Sequence, residues 1–211
     1  MAQIEARIDA EELVQLAIKA MKQDRDDDAL LFLKQALVQE PEEGRLYYLL
    51  GALHAELGLV ERAIQEITRA TQVSPELGIA HFQLGLLHMA RADFEQARHA
   101  WQPLDQLGED DALRLFKQGM VKFLDEEYAE AVALLKRGIA LEEVGGPLTD
   151  RMERVIERAQ AAMAGQDPKE ATRPSQPVTD AKPEKPTGSE SQHVLLAGYR
   201  KPGDSSGPAA R

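Results

Sequence analysis

The sequence predicts an all-α protein: a stack of helix-turn-helix repeats followed by a disordered C-terminal tail. Three observations predict it. Residue types recur at a fixed step of 34: Gly51, Gly85 and Gly119; Ala29, Ala63, Ala97 and Ala131; Leu16, Leu50 and Leu84; Pro41 and Pro75. A period in this range marks a repeat architecture. Aromatic residues are only 5% of the 211, low for a β-sandwich. Composition then changes near residue 166, after which seven of the 11 prolines are found.

The elements follow in order. Four units are expected, at about 10–43, 44–77, 78–111 and 112–145. In the second, Leu46, Tyr47, Leu50, Gly51 and His54 share one helical face, Gly58 marks a break, and Ala63, Ile67 and Ala70 share a second face. Pro75 ends the second helix, because proline lacks the donor and clashes with the preceding turn. A glycine late in the first helix facing an alanine early in the second lets the pair approach closely. In the third unit, Pro103 must kink or shorten the second helix. Gly145-Gly146-Pro147 breaks the chain after the fourth. Leu148, Met152, Val155, Ile156 and Ala159 then recur at helical spacing, so about 148–164 is expected to cap the last repeat. Residues 1–165 form the repeat domain. Residues 166–211, rich in Pro, Ser and Lys, carry too little apolar surface to offset ordering entropy and are expected to be disordered. One apolar island, Val194–Tyr199 within 193–200, interrupts them.

These residues resemble the tetratricopeptide repeat. Unit two matches its pattern at Tyr47, Leu50, Gly51, His54, Ala63, Ile67, Ala70 and Pro75. Unit three matches at His81, Leu84, Gly85, His88, Ala97, Trp101 and Leu104, with Glu109 in the proline slot. Unit one matches well, and unit four is degenerate in its first helix. The resemblance covers about residues 10–143. It implies a right-handed superhelical stack whose first helices line a concave surface, with positions 2, 5, 9 and 12 of each unit projecting into it. In units three and four those positions are all apolar: Ile79, Phe82, Leu86, Met89, Leu113, Phe116, Met120 and Phe123. Tyr48 adds to them from unit two. These nine are the candidate peptide-binding residues, since a contiguous apolar patch marks an interaction site. Two methionines suit a surface that adapts to its ligand. The alternative is that these side chains pack on each other or on the cap. Relatives that clamp a peptide carboxylate use Lys, Asn and Arg on the inner helices. Here Val14, Ile18, Leu49, Ile79 and Gln83 stand in those slots, so no such clamp is expected.

The net charge of −11 argues against broad nucleic-acid binding, which needs basic surface. With no cysteine, disulfides, thiol nucleophiles and cysteine-rich zinc sites are excluded. No motif of a hydrolase, phosphate loop or zinc protease occurs. His54 and His88 fill the aromatic slot of adjacent units rather than ligating a metal. The expectation is a non-enzymatic cytoplasmic adaptor or scaffold, without cofactor or metal and without membrane insertion, binding an apolar or amphipathic peptide in its concave groove. The alternative is a dedicated chaperone resembling those that hold hydrophobic translocators of type III secretion. A further expectation is that Val194–Tyr199 docks into the protein's own groove.

Overall fold

The computed structural model describes residues 8–142 and 147–165. The tail expected to be disordered, 166–211, and its island at 193–200 lie outside the described residues. The helices are α1 (Ala10–Met21), α2 (Asp26–Gln39), α3 (Gly44–Glu56), α4 (Val60–Val73), α5 (Gly78–Ala90), α6 (Phe94–Trp101), α7 (Ala112–Leu124), α8 (Tyr128–Leu141) and α9 (Pro147–Met163). They pack as hairpins, α1 on α2, α3 on α4, α5 on α6 and α7 on α8, and α9 lies against α8. Hairpins stack because each leaves one apolar face uncovered.

The first helix starts on a reciprocal cap. Asp9 accepts from the Glu12 backbone N–H at 2.8 Å, and Glu12 accepts from that of Asp9 at 3.3 Å. This satisfies two donors that a helix start leaves open. The hairpin turns repeat with the sequence. Backbone N–H groups of Arg25, Leu59, Asp93 and Glu127 donate to the carbonyls of Ala20, His54, His88 and Lys122. Each turn puts one residue in the left-handed region: Asp24 (φ 58°), Gly58 (73°), Ala92 (59°) and Glu126 (61°). The four stand 34 apart, yet only one is glycine. Between units, the Tyr47 hydroxyl donates to the Pro41 carbonyl at 3.0 Å, and His81 Nε2 lies 3.0 Å from that of Pro75. One slot therefore makes the same link in adjacent repeats with different chemistry.

Close approach inside the second, third and fourth hairpins rests on the recurrent glycine, where the first has Ala17. A Cβ at Gly85 would lie 2.0 Å from Trp101 Nε1, and one at Gly51 would lie 2.5 Å from Ile67. The Trp101 indole occupies the space at Gly85 and donates to the Phe82 carbonyl at 2.9 Å. Helix α6 ends at Trp101, and the chain continues as a 3-10 turn over Gln102–Gln106, which contains Pro103. The shortening expected of that proline is thus found. The core falls into two clusters, one built mainly from α1–α4 and the other from α5–α9.

Two titratable groups sit near the end of α3. Burial pushes the Glu56 carboxyl up to about 8, with Asp26 and Asp24 adding to the effect. Its Oε1 is buried without a hydrogen-bond partner. Burial lowers the pKa of His54, helped by Arg62 and Lys34. The signs differ. Glu56, raised on folding, contributes stability that is fully present below its ordinary value of 4.5 and lost as pH rises through 8. His54, lowered on folding, contributes stability that is full above its ordinary value of 6.5 and lost as pH falls below it.

Three outcomes are expected. Gly85→Ala destabilises by about 2–3 kcal/mol, because the indole must move or the helices part; a lower denaturant midpoint checks it. Ala92→Gly stabilises by about 0.5–1 kcal/mol, since the Cβ is what the left-handed region penalises. The same titration reads it. Glu56→Gln raises the melting temperature at pH 9, equivalent to about 1–2 kcal/mol after allowance for partial exposure, and leaves it nearly unchanged at pH 5.

Candidate functional site

The inner face is built by positions 2, 5, 9 and 12 of α3, α5 and α7. Its middle rows are closed to solvent. Tyr48, Phe82, Leu86, Phe116 and Met120 are all buried, with Phe82 and Phe116 at 0% exposure. Ile79, Met89, Leu113 and Phe123, in the end rows, are half-buried. The open groove expected from the sequence is therefore not present in this conformation. Positions 5 and 9 are covered, and positions 2 and 12 keep a partial rim.

Helix α9 provides much of the cover. Its Leu148, Met152, Val155 and Ile156 join one cluster with Phe82 and Leu86 of unit three and Phe116 and Met120 of unit four. The expected cap on the last repeat thus reaches further than that repeat. At the far end Arg151 of α9 approaches Tyr48 of unit two, where each side chain alters the other's titration. Burial holds the Tyr48 phenol neutral, with its pKa above the ordinary range, while the nearby guanidinium opposes the rise. Near the other end the Arg158 guanidinium sits 5.5 Å from the Phe123 ring centre. Cations over aromatic faces contribute about 0.5–2 kcal/mol depending on desolvation. Each large apolar side chain of α9 contributes roughly 1.5–3 kcal/mol on burial.

The aromatic residues under α9 form a short chain. Phe82 stacks on Trp101 with ring centres 5.9 Å apart, and Phe116 lies 6.2 Å from Phe82. Phe116 also fills the space that a Cβ at Gly138 would take, 2.6 Å from its ring. So Phe82 and Phe116 belong both to the inner face and to the packing of their own units. Phe123 meets Tyr128 edge-on at 5.6 Å. Sequence reasoning placed the nine inner-face residues but missed Arg151 and Arg158. The available signal was that both fall beside the apolar stripe of α9, at the boundary of the face that docks.

A second concavity of about 520 Å³ opens between α4, α5, α6 and the 3-10 turn. It is lined by neutral polar groups, including Gln72, Gln96, Gln102 and Gln106, with His81, His88 and His99. It arises where α6 stops short at Pro103. Among the described residues no group of three or more His, Asp or Glu side chains is placed to hold a metal ion. Nor is any described helix long and apolar enough to cross a membrane.

Comparison with known proteins agrees with this geometry. The tetratricopeptide-repeat family model matches residues 44–77. No curated protein matches the chain significantly. Among solved structures, a thermophilic TPR protein of Thermus thermophilus aligns with a TM-score of 0.60 at 21% identity, over 73% of this chain and 82% of that one. PilF of Pseudomonas aeruginosa aligns at 0.54 and 19%, over 74% and 73%. MamA aligns at 0.52 and 22%, over 64% and 80%. Identities of this size speak to fold. With four hairpins of the repeat geometry, a 34-residue step and a family match on its best-formed unit, the chain is a tetratricopeptide-repeat protein.

Proposed function

We propose that this protein is an adaptor whose inner face, over α3, α5 and α7, binds an apolar or amphipathic segment of a partner protein. Repeat stacks of this fold serve protein–protein interaction in general, and function on such a fold is carried by the surface it presents. One observation supports the choice of surface: the apolar rows of units three and four already share one buried cluster with an amphipathic helix, α9. Chemistry of another kind has little to work with there. Arg45, the cation at position 2 of unit two, is engaged by Glu43 at 3.0 Å. The recognised segment is therefore read by shape and apolar spacing rather than by a terminal carboxylate.

The half-buried rim residues are the ones to change, since Phe82 and Phe116 also hold their units together. Met89→Glu with Phe123→Glu places two charges on the rim while sparing the glycine contacts. Val38→Glu, at an 84% exposed site on α2, is the control. In affinity capture with the full chain, the rim variant is expected to retain a tenth or less of a partner that wild type and Val38→Glu retain equally. Loss with Val38→Glu and retention with the rim variant would move the binding surface to the outer helices.

A further inference from the structure

We propose that α9 is an exchangeable occupant of the inner face, and that the partner is an amphipathic helix which takes its place. That helix would carry large apolar residues where α9 has Leu148, Met152, Val155 and Ile156, and a cation where α9 has Arg158. The inference rests on the reading of the inner face as the binding surface, and deepens it by naming the partner's chemistry.

Three features of the fold carry it. The main chain of α9 runs alongside α8, whereas its side chains share one buried cluster with Phe82 and Leu86 of unit three and Phe116 and Met120 of unit four. That is how a bound helix sits in a groove. Next, the contacts that close each hairpin lie within it: Gly51 on Ile67, Gly85 on Trp101 and Gly119 on Leu135. None of them involves α9, so the repeats keep their internal packing when the helix leaves. Last, α9 exposes Asp150, Glu153, Arg154 and Glu157 on its outer face. A helix with one polar and one apolar face remains soluble when released. Arg158 marks the register, with its guanidinium 5.5 Å from the Phe123 ring centre. A partner cation at that place would meet the same ring.

The test uses a fluorescein-labelled peptide of residues 147–163 and the full-length protein. Met152 is fully buried in the shared cluster. Met152→Glu should expel α9, and the variant should bind the peptide at least tenfold more tightly than wild type does. Adding Met89→Glu and Phe123→Glu to Met152→Glu should remove the gain. Equal, saturable binding by wild type and Met152→Glu overturns the exchange while leaving the inner face as a helix site, provided the rim substitutions still abolish it. Absence of binding to every form, with helical circular dichroism intact, overturns the inner-face reading and the exchange together. If Met152→Glu melts the repeats, Ile156→Ala takes its place, with an expected gain of about threefold and the same opposing outcome.

Discussion

Everything in this molecule depends on how closely the two helices of a hairpin approach. At Gly51, Gly85 and Gly119 the first helix has no side chain, and a large residue of the second helix fills the space. That contact fixes the spacing inside those three hairpins, and the small Ala17 takes the same place in the first, so each unit presents its remaining faces in the same way. Stacking then follows from repetition. The turn hydrogen bonds at Arg25, Leu59, Asp93 and Glu127 are identical because the helices they join are held alike. Positions 5 and 9 of successive units come into register as a consequence, and form a continuous surface without any long-range instruction.

In units three and four that surface is apolar throughout. An apolar surface of this extent, left in water, loses the stabilisation its burial would contribute. The chain supplies its own cover in α9. The match is chemical as well as geometric: apolar side chains of α9 share one cluster with Phe82, Phe116 and Met120, while Arg158 ends beside the ring of Phe123. Guanidinium groups suit aromatic faces because they are planar and weakly hydrated.

The fold was legible because steric rules leave a mark on residue type. Only glycine allows the approach at positions 51, 85 and 119, and only proline stops α6 at Trp101. The turn geometry was not legible. Asp24, Gly58, Ala92 and Glu126 share one backbone conformation, yet three of them bear a side chain that disfavours it. Their context imposes the conformation, so no residue type announces it. The candidate site was half legible. Its nine residues follow from repeat positions, but whether positions 5 and 9 are open depends on the curvature of the stack. Curvature sums small rotations over four units, and no single position encodes it. The same limit hid the reach of α9. Its apolar stripe was plain and the adjacent last repeat a sufficient target, whereas the apolar area continues into unit three. Glu56 was invisible for a different reason: its raised pKa comes from burial and from Asp24 and Asp26, which a linear reading does not bring together.

A charged inner face and an apolar one impose different demands on the empty state. Charged side chains remain hydrated when no ligand is present, so a carboxylate clamp can stand open in water. The rows at Phe82, Leu86, Phe116 and Met120 lack that option, because exposing them costs what burying them contributes. An inner face of this composition therefore needs an occupant in each of its states. That demand explains why α9 shares its core with unit three as well as with the last repeat. Under the proposed exchange it also sets the condition a partner must meet. A partner has to bury as much apolar surface as α9 does, and has to supply it from outside the chain against a helix already tethered at α8. Tethering gives α9 a high effective concentration, so a partner with fewer apolar anchors than Leu148, Met152, Val155 and Ile156 loses that competition.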